Sequence, residues 1–395
     1  MTDREAAQRF LDDYRAAHGS STTPLPRAAV TDLIERMLRE SYTPEQAKDP
    51  LYRNVIEGMF DRAVRDGVDA AMFDFLTKRQ GYLEAATVEW TRGLDLDKRP
   101  LLGHLRTGQL NAVSMPVPDS DGYLVVFEDQ MVLFLYQIGN LAAWAVPTDP
   151  SNDRSFRLSV PDVTARIDAV PEIAAWFADI IVSYAVTGTI GLRYSRNLPP
   201  GYARFAGLRN IALLNFVLGH EYAHVIMGHL DKTDARRGVL PVPDHEALVY
   251  SWRQEIEADQ IGTMLSLNTC MDHDKLDFGN AFLGIGLFLD ILDVMDRAVA
   301  LLETGDENAR QLGSHPPAHL RKQRVREFLT KLADADPEQA ENVSTALAMD
   351  DVHGQIIGLL WDRTRPILLD QRERGVRPAG TWRTIPRETA PLRGC

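Results

Sequence analysis

With 395 residues, 45% of them hydrophobic, the chain can bury a sizeable core and form two or three subdomains. A formal net charge of −13 argues against a general nucleic-acid binder. Two cysteines, Cys270 and Cys395, exclude a disulfide framework and fit a reducing compartment.

The first ten residues are charged and helical, without the apolar stretch of a secretory signal. Residues 1–100 read as an all-helical region, with amphipathic spacing over 3–17, 27–40, 51–65 and 70–90. Nothing in them points to chemistry, and packing or partner docking is the expected role. From residue 111 the pattern changes to short β-like runs, 112–117 and 123–127. Pro118-Asp119-Ser120-Asp121-Gly122 joins them, which predicts a hairpin. Glu128-Asp129 opens an apolar stretch over 131–146, read as a buried helix with a strand as the alternative. A turn-rich break over 147–153 precedes a largely buried helix over 173–192.

The apolar run 211–230 reads as one helix, and it carries His220-Glu221-Tyr222-Ala223-His224. Histidines four apart stand one turn above the other, so both imidazoles can reach one metal ion. Zinc accepts neutral imidazole and keeps an open position when three protein groups hold it. Glu221 is then not needed as a ligand and can take a proton from water activated at the metal. Such a short pattern also arises by chance, so its weight depends on partner residues further along the chain.

Residues 231–245, rich in charge, glycine and proline, predict a loop long enough to overhang a cleft, or a plain surface connection. Glu255-Ile256-Glu257-Ala258-Asp259 comes next on a helical stretch. Glu255 can complete a zinc site while Asp259, four residues on, accepts the outer N–H of a ligand histidine. The competing reading is a solvated acidic helix face. A strongly apolar helix is predicted over 278–302. Beyond it stands Ser314-His315-Pro316-Pro317, with Arg321 shortly after. Prolines fix His315 rigidly, where it can stabilise a substrate oxyanion; the alternative is a loop opening the next helix. Helical character continues over 318–333 and 337–347. From residue 361 the chain is rich in arginine and proline, which predicts an extended, tethered or partly disordered tail.

Together the three motifs resemble the gluzincin metallopeptidases of the HtpX and CAAX prenyl protease type. That family carries H-E-x-x-H, then E-x-x-A-D on the next helix, then H-P-P or H-P-S with an arginine nearby. The resemblance spans roughly residues 204–326. It implies His220, His224 and Glu255 as ligands of one zinc ion and Glu221 as catalytic base. It further implies Asp259 and Arg321 in the layer supporting the ligands, and His315 as an active-site auxiliary. It also implies endopeptidase rather than exopeptidase activity, and a substrate strand added to a sheet edge beside the zinc helix. Residues 123–127 or 189–194 are candidates for that edge. His229 stands five residues after His224 rather than the six of the metzincin pattern. Five helical positions turn it off the metal face, so it is read as a helix-end residue suited to the dipole.

The expected fold is mainly α (α+β): a zincin-like metallopeptidase domain with a small β-sheet over 101–350. The helical region 1–100 precedes it and the arginine- and proline-rich tail 351–395 comes after it. No stretch reads as a membrane span, since 131–146 is too short and 281–289 is closed by Asp290 and Asp293. Members of the resembled family often carry such spans, so a membrane-embedded substrate is not carried over. The expectation is a cytoplasmic zinc endopeptidase acting on a peptide or protein, binding neither nucleic acid nor membrane. The rival is a regulatory or scaffold protein that keeps zinc without proteolysis.

Overall fold

A computed structural model describes residues 2–17, 31, 68–88, 99–105, 110–149, 152–190, 198, 202–230, 236–239, 246–249, 252–309 and 315–379. Among these the chain is mainly helical, with a small three-stranded sheet. Helix α1 (Asp3–Ala17) turns Ala6, Ala7, Leu11 and Tyr14 inward. Helix α2 (Val68–Thr87) comes next, then strands β1 (Leu101–Leu105), β2 (Ala112–Pro116) and β3 (Tyr123–Glu128). Sheet order is β1-β3-β2, with β3 parallel to β1 and antiparallel to β2.

Strand β3 is buried along its whole length, as its unbroken apolar run requires. Period-two alternation splits it between two cores. Leu124 and Val126 cluster with Ala7, Leu11 and Tyr14 of α1, while Val125 and Phe127 join the large helical core. Because β3 is central, residues 123–127 offer no free edge, and that candidate for substrate pairing is overturned. Residues 189–190 form no strand, and 191–194 lie outside the described residues.

Helix α3 (Asp129–Ala145) starts directly off β3, with the Glu128 carboxylate accepting from the N–H groups of Gln130 and Met131. A ribbon of β4 (Thr148–Asp149) and β5 (Asn152–Phe156) leads to α4 (Val160–Ala169) and α5 (Pro171–Thr187). The short α4 is an addition to the expected elements; Ser159 caps it and Pro161 stands in its first turn. Helix α6 (Tyr202–Ile226) carries the histidine motif. Strands β6 (Arg236–Val239), within the expected loop 231–245, and β7 (Glu246–Val249), just past it, pair antiparallel. Among the described residues four helices follow: α7 (Trp252–Asp272), α8 (Phe278–Thr304), α9 (Ala318–Ala335) and α10 (Ala340–Glu373).

The expected tail is corrected up to residue 379. Ile356, Ile357, Leu360, Trp361, Thr364 and Leu368 recur at helical spacing and are buried, so α10 runs through 361 and through Pro366. The Trp361 ring lies 4.4 Å from the Arg297 guanidinium, and its Nε1 donates to Glu307 Oε2 at 2.9 Å. A division at residue 350 therefore falls inside a helix. Arginine and proline content, averaged over the last 35 residues, hides this apolar stripe. Apart from residue 31, the helices expected over 27–40 and 51–65 lie outside the described residues, as does Cys395.

Among the described residues no single helix is long and apolar enough to cross a membrane. The bent pair α4–α5 has sufficient apolar length but turns by 89°, and Trp176, Phe177, Ile180, Ile181 and Tyr184 of α5 are core residues.

Helix α6 is buried almost all round and packs against α3, α7, α8 and β2. Its crossing with α7 is close to backbone contact. A Cβ at Gly219 would lie 2.8 Å from the Gly262 carbonyl oxygen, and one at Gly262 would lie 2.7 Å from His220 N and Cα. Glycine at both positions lets His220 meet the acidic turn of α7. Gly262→Ala is therefore expected to force the helices apart, costing about 1–3 kcal/mol and weakening metal binding. Gly207→Ala on α6, with nothing within 4 Å of its added Cβ, is the control, expected to be neutral or slightly stabilising. Denaturant unfolding of both variants checks this; equal effects would deny the crossing its role.

Candidate metal centre

The helical register of α6 stacks His220 over His224, and α7 brings Glu255 against them from the side. All three are buried and together form a group able to hold a metal ion. His220 Nε2 lies 3.2 Å from His224 Nε2 and 3.5 Å from Glu255 Oε2, while His224 Nε2 lies 3.5 Å from Glu255 Oε1. A tetrahedral ion with ligands at ~2.1 Å separates them by ~3.4 Å. The observed spacing fits that figure.

Charge supports the same conclusion. Glu255 is fully buried, and the imidazole nitrogens around its carboxylate stand 3.5 Å away, too far for strong hydrogen bonds. Leaving a carboxylate in that state is costly unless a cation compensates it. Burial alone would raise the Glu255 carboxyl. His315, His220 and His224 around it outweigh burial and hold it well below the usual carboxylate range. Burial opposes charge on His220, but Asp259 and Glu255 overcome it and push the imidazole up to about 10. His224, desolvated beside His220, is held well below its ordinary value. The pocket thus favours positive charge, supplied in the metal-free chain by a proton on His220.

Behind His220 stands the expected support. Its Nδ1 lies 2.9 Å from Asp259 Oδ1, and Arg321 grips both oxygens of Asp259 through Nε at 2.8 Å and Nη2 at 2.7 Å. A proton held on Nδ1 leaves the Nε2 lone pair facing the site. His315 comes in at the N-terminal end of α9, where Pro317 is the capping residue, and places Nε2 3.5 Å from Glu255 Oε1. With 42% of its side chain exposed, it is the open side of an otherwise buried cluster.

Glu221, next to His220 on α6, also meets the sheet. Ser114 on β2 sets its Oγ 2.5 Å from Glu221 Oε2 and 2.9 Å from the Glu221 carbonyl oxygen. Burial pushes the Glu221 carboxyl up, against the pull of His220 and the Ser114 hydroxyl. A carboxylate raised in this way is suited to taking and returning a proton. No motif marks Ser114, a lone serine in a short strand. Tyr222 makes another contact without a sequence signal. Its hydroxyl donates to Glu84 Oε1 at 2.7 Å and also contacts Gln80, bracing α6 against α2.

His229 does stand at the helix end, but the expected direction of its side chain is corrected. Helix α6 does not continue five residues past His224; it ends in a Schellman reversal. Gly228 adopts φ 68°, the His229 N–H donates to the His224 carbonyl at 3.0 Å, and the Gly228 N–H to that of Val225 at 3.2 Å. The reversal folds residue 229 back, so its ring meets the His224 ring with centroids 5.1 Å apart.

The structure brings together every residue expected at the site: His220, Glu221, His224, Glu255, Asp259, His315 and Arg321. Comparison with models of protein families, with curated proteins and with solved structures finds no match.

The raised His220 imidazole sets a pH signature for the metal-free protein. Its contribution is complete below the ordinary histidine value of 6.5 and is lost as pH climbs through about 10. The thermal midpoint of metal-free protein should fall across that window, and His220→Gln should lack this fall. A parent midpoint that tracks the variant's across the window would contradict the arrangement.

Proposed function

We propose that the chain is a zinc-dependent peptidase that cleaves internal peptide bonds, in line with the resemblance to gluzincins. The observation that carries this reading is the separation of roles around α6. Three groups complete a ligand set, and Glu221, a fourth buried ionisable group, stands beside it held by Ser114. Two imidazoles with one carboxylate are a donor set that suits zinc at a catalytic site. A purely structural site has no use for a buried carboxylic acid next to its ligands.

His220, His224 and Glu255 would hold the zinc. When bound, zinc supplies Lewis acidity, polarising a carbonyl and bringing the pKa of water toward neutrality. Glu221 takes a proton from the attacking water and passes it to the leaving amine. His315, on the open side, donates a hydrogen bond to the developing oxyanion. Asp259 and Arg321 keep His220 in the ligating tautomer. Strand β2 is the sheet edge that passes Glu221, and the reading gives it the extended peptide to pair with. A reducing, cytoplasmic setting agrees with the buried free thiol of Cys270, whose pKa desolvation raises to about 11.

The test compares purified parent and Glu221→Gln for zinc content and for cleavage of unfolded casein. Both should hold about one zinc per chain, and the variant should lose roughly a hundredfold or more in turnover. Stoichiometric zinc in a parent that cleaves no peptide would favour the regulatory or scaffold reading instead.

A further inference from the structure

His229 is neither ligand nor base, yet its ring is buried against the second ligand. His229 Nδ1 lies 3.1 Å from His224 Nδ1, and on its far side Nε2 lies 3.3 Å from Glu257 Oε2. The other Glu257 oxygen, Oε1, accepts from Arg253 Nε at 2.8 Å at the surface.

This geometry fixes where the protons sit. Two ring nitrogens 3.1 Å apart need one proton between them, one nitrogen donating and the other accepting. His224 Nε2 is the nitrogen turned toward His220 and Glu255, where ligation requires its lone pair. The His224 proton must then be on Nδ1, and His229 Nδ1 accepts it. His229 in turn carries its own proton on Nε2, aimed at a carboxylate that only accepts. Each tautomer in the row determines the next, and Arg253 anchors the last member.

We infer that His229 and Glu257 are positioning residues that lock the tautomer and ring orientation of His224, and so set how tightly the site holds its metal. The inference rests on the metal reading of the site given under Proposed function. It makes the two ligand histidines equivalent in design. His220 is backed directly by Asp259, and His224 is backed by Glu257 through an intervening ring. The alternative is that residue 229 only closes the helix. Its backbone N–H does that, and any side chain would preserve it.

Zinc dissociation constants of the full-length chain, measured against a competing chromophoric chelator at fixed pH, distinguish the two. His229→Leu keeps the backbone closure and removes the acceptor; it should weaken zinc binding about ten- to a hundredfold. His229→Asn returns an amide oxygen near the place of Nδ1 and should remain within about threefold of the parent. Nitrogen-15 spectra of the zinc-loaded protein should show a downfield His224 Nδ1–H in parent and His229→Asn, absent in His229→Leu. Should His229→Leu fail to fold, Glu257→Ala at the partly exposed end decides, because it removes the acceptor for His229 Nε2, with zinc binding expected to weaken severalfold. Parental affinity in His229→Leu, or in Glu257→Ala where that one decides, would overturn the inference. So would equal weakening by leucine and asparagine. A parent that binds no zinc would instead overturn the metal reading itself.

Discussion

Two helix backbones in near contact control everything at this site. With Gly219 facing Gly262, α6 and α7 approach until an added Cβ would strike the main chain of His220. That approach puts Glu255 within ligand distance of both histidines and Asp259 within 2.9 Å of His220 Nδ1. Larger residues at the crossing would push the helices apart and draw Glu255 and Asp259 back from the histidines. The surrounding layers serve this crossing. Helices α3 and α8 enclose α6, the sheet presses Ser114 against Glu221, and α9 delivers His315 and Arg321.

Close packing alone would make the site unstable, because it collects buried acidic groups. Glu221, Glu255 and Asp259 lie in one pocket, and Arg321 is committed to Asp259. The remaining negative charge is met in the metal-free chain by the proton that His220 retains. A divalent ion placed between the ligands would displace that proton and satisfy both Glu255 oxygens more completely. Metal binding and proton binding thus compete for one pocket, so affinity should depend on pH.

Much of this is legible from residue types and spacing. The histidine pair four apart, the Glu255–Asp259 pair four apart and the proline-fixed His315 each carry their geometry in the sequence, because helical register converts spacing into direction. The hairpin of β2 and β3 is equally visible from its turn residues. What stays hidden depends on contacts between distant segments. Strand β1, the edge role of β2 and the Ser114 contact with Glu221 arise only when the sheet assembles. His229 escapes a helical-wheel argument because the wheel does not extend past Gly228, where the chain reverses. The C-terminal helix escapes a compositional one because arginine and proline content outweighs the apolar stripe through Trp361 and Leu368.

X-ray absorption at the zinc edge of the full-length protein tests the central claim most directly. Two imidazole nitrogens with oxygen filling the remaining positions, all at roughly 2.0–2.2 Å, is the result expected for His220, His224 and Glu255 with one position left to solvent. A sulfur shell at about 2.3 Å, or a third imidazole, would contradict the account, because either would mean a ligand set other than His220, His224 and Glu255.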